Sequence, residues 1–349
     1  MTTGILLHFD SIDHYLGPGD ARFFASGFRR VEHEIRDVTV SDAAAADPGV
    51  RATTTLRYPV DWSKKREEFD LPPHVSTVDI IVLGIQLCEA FLAHALGLDE
   101  ASRRRVRLRK LTVRAGTRPQ ENLVDLPAVA LLRHIHDGPA GTRVSTFDTS
   151  VGAMSARVEL EHDIGVAVTG SGTFRTLSDV LGDGRSRYYG EGFKARRQII
   201  SDVSADVDRL TARASVGVEQ LPGTVFTGNG IGGEFAASSF TPVDCFVTNL
   251  QLVQVLLYEL DSVNRKESNT LWMLRTVLSV APDSRPVGPV AQAQVTGRRL
   301  LPLRGGLWRN VDIEANLGDI DMLCSFAHEL PPEAAARAAV KISSDGARG

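Results

Sequence analysis

Apolar positions change their period along this chain. From Ile80 to Leu98 they run almost unbroken for 19 residues, and a second such stretch follows Pro242. A run of this length, opened by Ser76 and closed near Gly97, predicts a helix capped at one end and stopped by a C′ glycine at the other. Around it the pattern has period two. "RRVEHEIRDVTV", "RATTTLRYPV", "RVRLRKLTVRAG", "AVALLRHIH" and "ARVELEHD" alternate as half-buried strands do. After the second long run come "LWMLRTVLSVA", "AQAQVTGRRLLPL", "WRNVDIEANL" and "MLCSFAHEL". Ile80–Leu98 is long enough to span a bilayer, but it carries Gln86, Glu89 and His94. A helix apolar on every side is also what a large core encloses, and that is the expectation here.

The order of elements repeats. An offset of 165 residues places Asp79 on Asp244, Gln86 on Gln251, Val78 on Val243 and Leu87 on Leu252. The same offset places Gly27 on Gly192, Phe28 on Phe193, Asp37 on Asp202 and Val38 on Val203. Two blocks about 50 residues apart sharing one offset mark a duplication. The predicted units are 1–170 and 185–330, with 331–349 as a disordered tail. Each unit is one long buried helix wrapped by antiparallel strands, a hot-dog arrangement. The expected fold is therefore α+β, a tandem hot dog with two antiparallel sheets.

Asp79 and Gln86 lie seven residues apart, close to two helical turns, and so share a face. Asp244 and Gln251 do the same. Ser76-Thr77-Val78-Asp79 and Thr241-Pro242-Val243-Asp244 both fit a capping box, with Pro242 at the first helical position. Capping alone accounts for both carboxylates. The glutamines need partners, because a buried amide left without one costs on the order of 1–3 kcal/mol. The same geometry also suits chemistry. Free amides at a helix mouth stabilise a developing enolate oxygen, and a carboxylate beside them serves as base. One of Asp79 or Asp244 is the expected base, His74 the expected proton relay. Ser76, Thr77 and Thr241 are expected to bind substrate at the mouths, and Gln86 and Gln251 to orient it further in. Trp62, Lys64 and Arg197 are further candidates for contact with a pantetheine phosphate or an acidic carrier, although a solvated charged run explains Lys64 as well. Arg196 and Arg197 are strand neighbours on opposite faces, so at most one of them faces a pocket.

Net charge is −4 and the isoelectric point near 6.2, which gives no field for nucleic acid. Cys88, Cys245 and Cys324 have neither disulfide nor metal spacing and suit reduced thiols in the cytoplasm. "GNGIGG" (228–233) has the letters of a dinucleotide loop but no following βαβ unit, and reads as a flexible loop near the second helix mouth. His134 and His136 are too few for a metal site. No cofactor or metal is expected.

"YLGPGDARFFASGFRRV", "YPVDWSKK" and "PHVSTVDIIVLGIQLCEAFL", in that order, resemble the AvrD family, the avirulence D proteins. The resemblance implies acyl transfer and a Knoevenagel-type condensation. A β-ketoacyl thioester, on coenzyme A or a carrier protein, is joined to a ketose-type molecule to give a syringolide- or butenolide-like signal. It implies chemistry akin to the AfsA family, which has a hot-dog repeat. No membrane or nucleic-acid partner is implied, and the protein is expected to be a monomer or homodimer. Two rivals remain. One is a dehydratase or thioesterase that pairs His74 with Asp244 across the halves; the other is a non-catalytic acyl-binding module.

Overall fold

The computed structural model describes residues 5–63, 72–116, 118–224, 228–236, 239–263, 271–281, 288–303 and 306–337. The first half contains β1 (Leu6–Ser11), α1 (Ile12–Leu16), β2 (Glu32–Val40), β3 (Gly49–Arg57), α2 (Thr77–His94), α3 (Glu100–Arg105), β4 (Arg107–Arg114), β5 (Leu126–Asp137), β6 (Arg143–Val151) and β7 (Met154–His162). The second contains β8 (Gly172–Thr176), α4 (Ser178–Leu181), β9 (Arg196–Asp206), β10 (Thr211–Gln220), α5 (Gly233–Ala236), α6 (Pro242–Asp261), β11 (Trp272–Val280), β12 (Val290–Leu303), β13 (Gly306–Leu317) and β14 (Ile320–Glu329).

All the strand pairs are antiparallel, and the strands form one sheet in the order β1-β9-β10-β12-β13-β14-β11-β4-β7-β6-β5-β3-β2-β8. Exchanging β1–β7 with β8–β14 turns this order into its own reverse. The expected two sheets are one, because β4 and β11 pair from Lys110↔Ser279 to Arg114↔Arg275. Each strand thereby covers the other's edge, which would otherwise present unpaired amides and carbonyls.

The two long helices are the centres of the core. α2 lies against β2 to β7, and α6 against β9, β10, β12, β13 and β14. Both are long and apolar enough to cross a membrane, and both are enclosed here. Their starts are fixed by full capping boxes, Ser76 with Asp79 and Thr241 with Asp244. Gly97, past the end of α2, has φ +63; a Cβ there would sit 2.3 Å from the Val166 carbonyl oxygen. Asp37 and Asp202 both have positive φ, 55° and 48°, at matching irregularities of β2 and β9. Their agreement at the 165 offset thus has a backbone cause, since Asp tolerates the left-handed region better than most residues.

The opening segments are exchanged between halves. β1 pairs with β9 and α1 packs on α6, while β8 pairs with β2 and α4 packs on α2. Phe28 and its counterpart Phe193 stack on each other with ring centroids 6.3 Å apart. At the other end, Ala334 is buried and Arg337 Nη2 donates to the Ser262 carbonyl at 3.0 Å. Packing thus continues into the segment expected as a tail; residues 338–349 lie outside the described residues.

Candidate active site

Strand exchange explains the two glutamines. Arg22 and Arg187 match at the 165 offset, and each reaches into the helix of the opposite half. Arg22 Nη1 donates to Gln251 Oε1 at 2.6 Å, and Gln251 Nε2 donates to the Phe24 carbonyl at 3.1 Å. Arg187 Nη2 donates to Gln86 Oε1 at 3.4 Å, and its Nη1 to Glu89 at 3.3 Å. Arg103 also pairs with Glu89, which is fully buried. The buried amides are thus paired with buried guanidinium groups that hold the exchanged segments in place. Charge-assisted bonds of this kind contribute more than neutral ones.

Asp79 is 1% exposed and is held on every side. Its Oδ2 accepts from the Ser76 amide and the Ser76 hydroxyl, both at 2.7 Å, and from the Tyr58 hydroxyl. Its Oδ1 lies 2.7 Å from His33 Nε2. Burial alone would raise the carboxyl's pKa. The His33 hydrogen bond and charge, the Tyr58 hydroxyl and the Ser76 amide outweigh it and hold Asp79 below its ordinary value. Burial, then the Asp79 charge, push the Tyr58 phenol well up. His33 Nδ1 is buried and has no hydrogen-bond partner among the described residues.

Asp244 is likewise buried. It accepts from the Thr241 amide at 2.9 Å and hydroxyl at 2.8 Å, from Arg196 Nη2 at 3.0 Å and from Gln198 Nε2 at 2.6 Å. Gln198 is the 165-offset counterpart of His33. Burial tends to lower the Arg196 pKa, but the Asp244 charge wins and raises it.

A cavity of about 360 Å³ opens at the mouth of α2. Ser76, Thr77, His74 and Trp62 form one wall, and Gln251 from the middle of α6 lies on another. Trp62, Trp272 and Trp308, all the tryptophans of the chain, line it. The Trp62 ring meets His74 edge-on at 5.6 Å, and His74 Nδ1 is 3.4 Å from the Pro72 carbonyl. Trp308 Nε1 is buried with no acceptor among the described residues. A second cavity, about 70 Å³, lies at the mouth of α6, lined by Thr241, Pro242, Tyr188 and Tyr189. Its walls repeat those of the first. Phe23 and Phe24 give way to Tyr188 and Tyr189, Ser76 and Thr77 to Thr241 and Pro242, and Met154 to Ile320. Ile231, Gly232 and Ala236 also line the smaller cavity. They belong to the glycine-rich segment and the turn after it, which is tied down by Tyr188 N–H to Asn229 O at 3.0 Å and by Arg196 on the Ala236 carbonyl. A Cβ on Gly230 would lie 3.0 Å from Arg187 Cβ, so close approach is what the glycine there permits.

Ser76, Thr77, His74, Trp62 and Gln251 therefore meet at one cavity, and Thr241 lies on the other. Asp79 and Asp244 line neither; they stand behind the hydroxyls that do. Gln86 faces Arg187. Among the described residues His74 is not a hydrogen-bond partner of Asp244, which is engaged by Thr241, Arg196 and Gln198. Arg197 pairs with Glu219 at 2.7 Å on the outside of the sheet, and its neighbour Arg196 is the one that points inward. Lys64 lies outside the described residues. Sequence reasoning missed His33, Tyr58, Arg22 and Arg187. The signal was available for three of them. Arg22 precedes the Phe23–Phe24 match by one residue, and His33 and Gln198 fall together at the same offset. Among the described residues no three His, Cys, Asp or Glu side chains gather as a metal site.

The sequence model of the Pseudomonas avirulence D protein (AvrD) family matches residues 7–331. The chain belongs to the AvrD family. No curated protein matches it. Among solved structures it is similar to the dehydratase domain of the polyketide synthase PpsC from Mycobacterium tuberculosis. That match has 13% identity, covers 84% of this chain and 96% of that one, and has a TM-score of 0.34. It is also similar to a CurJ dehydratase (9% identity, 84% and 95% covered, TM-score 0.33) and to a putative thioesterase II from Thermobifida fusca (9% identity, 83% and 94% covered, TM-score 0.35). At these scores the likenesses decide neither fold nor chemistry.

Proposed function

We propose that this AvrD-family chain is a cytoplasmic biosynthetic enzyme built as a tandem hot dog, with units 1–170 and 185–330. It condenses a β-ketoacyl thioester with a ketose or small hydroxy-ketone into a syringolide- or butenolide-like molecule. The observation that carries this reading is the α2 cavity, which puts three indole rings, an imidazole and a helix mouth around one space. The aromatic walls suit an acyl chain. The amide of Thr77, on the cavity wall, has no intrahelical acceptor and suits the thioester oxygen as it gains charge. His74, on the wall rather than behind it, takes the Cα–H proton; Asp79, which lines neither cavity, holds the Ser76 hydroxyl. Gln251, fixed by Arg22, orients the second substrate.

In this scheme the hydroxyl of the hydroxy-ketone displaces the thiol, giving a β-ketoester. The Cα of that ester then bonds to the ketone carbon, and the ketone oxygen leaves as water. No cofactor takes part. The donor is a coenzyme A or carrier-protein thioester, and the protein works as a monomer or homodimer.

Mass spectrometry of reactions containing a β-ketoacyl thioester, with and without a ketose, tests the reading. The expected product has the mass of both parts less thiol and water, and it forms only when the ketose is present. Unchanged thioester alongside saturable quenching of tryptophan emission would instead identify an acyl-binding module.

A further inference from the structure

We propose that Ser76 carries the acyl group as an ester between the two substrates, so that transfer runs by double displacement. This rests on the acyl-thioester reading above. Ser76 lines the cavity with Trp62 and Thr77, and its hydroxyl donates to Asp79 Oδ2 at 2.7 Å. The other carboxylate oxygen is held by His33 at 2.7 Å, which fixes Asp79 in place behind the serine. A cavity-lining serine whose hydroxyl donates to a buried carboxylate pairs a nucleophile with a base that an orienting group holds in place. Capping alone asks less of the residue. It needs Ser76 Oγ only as acceptor from the Asp79 amide, and that bond is the longer one, 3.2 Å.

The step balances with groups on the cavity wall. Ser76 Oγ loses its proton to Asp79 and bonds to the thioester carbon, whose oxygen turns toward the Thr77 amide. The C–S bond breaks, and the sulfur leaves as the thiol with a proton from His74. An acceptor hydroxyl then gives its proton to His74 and attacks the ester carbon. Ser76 Oγ departs and recovers its proton from Asp79. No redox partner is needed.

The α6 mouth shows what the site requires. Thr241 also donates to its aspartate, at 2.8 Å, but Tyr188 also bonds the Thr241 hydroxyl, Arg196 neutralises Asp244, and the cavity is about 70 Å³. Pro242 removes the amide that Thr77 carries at the same position of α2.

The test uses the full chain and a β-ketoacyl N-acetylcysteamine thioester without acceptor, quenched in acid and read by intact mass and peptide mapping. One β-ketoacyl mass on the peptide holding Ser76, with a burst of one thiol per protein, is expected. Ser76→Asn keeps a good cap but has no hydroxyl. It should lose the adduct and slow thiol release by about 100-fold or more, whereas Thr241→Asn keeps both. Thioester consumption by the parent with no adduct on Ser76, or Ser76→Asn turning over at the parental rate, overturns the proposal while leaving the acyl-thioester reading intact. A parent protein that consumes no thioester overturns both.

Discussion

Thr77 and Pro242 hold the same position at the start of two equivalent helices, and the difference between them is one N–H. Around them the contrast widens. Both mouths keep the hydroxyl–aspartate cap, because each helix needs its first-turn amides satisfied wherever its ends are buried. The groups facing the aspartates differ. At α2 they are His33 and Tyr58, beside a cavity of about 360 Å³. At α6 they are Gln198 and Arg196, beside one of about 70 Å³ that Ile231 and Ala236 help to close. A duplicated unit needs its cap twice to fold, but it needs only one mouth open for chemistry. The second mouth is then free to take an arginine that ties loop to helix.

Variants at the two mouths test that contrast. The largest effect is expected from Arg196→Met, which leaves the Asp244 carboxylate buried without its ion partner. It should cost about 3–5 kcal/mol in urea unfolding, with thioester turnover per folded molecule unchanged. Turnover lost from a protein that stays folded would put chemistry at α6. Asp79→Asn should cost about 3 kcal/mol and also abolish most turnover. Its stability effect depends on pH. The folded Asp79 carboxyl lies below its ordinary value of 3.8. Its contribution is therefore fully present above that value and is lost as pH falls through the folded-state pKa. The gap between parent and Asp79→Asn should close on acidification, and a gap that widens would contradict the assignment. His74→Ala should slow turnover by about 100-fold with unfolding within about 1 kcal/mol of the parent, and an unslowed variant would remove His74 from the chemistry. The smallest change is expected from Pro242→Ala. It restores an amide at the α6 mouth, should shift stability by less than about 1 kcal/mol, and should create no second active site.

The helices, their caps and the duplication were legible because each is written locally. A run of apolar residues, a Ser-x-x-Asp and a fixed offset need no knowledge of distant partners. The exchange of β1 and β8 was not legible, since alternation marks a strand without naming its neighbour. For the same reason two sheets were expected where β4 and β11 join one. No local pattern marks Arg22 and Arg187 as buried, and only the fold shows them against Gln251 and Gln86. Its place at the helix mouth pointed to Asp79 as a group facing substrate. Four hydrogen bonds place it behind Ser76 instead, and the histidine beside it is His33, 46 residues away in sequence.

The central claim is that one helix mouth reacts and its twin only supports. The most direct measurement is a crystal structure with an unreactive thioether analogue of a β-ketoacyl thioester. The account predicts a single ligand in the α2 cavity, its carbonyl oxygen within hydrogen-bond distance of the Thr77 amide and its chain against Trp62 and Trp308. A ligand seated instead between Tyr189 and Thr241, or one that avoids both mouths, would contradict it.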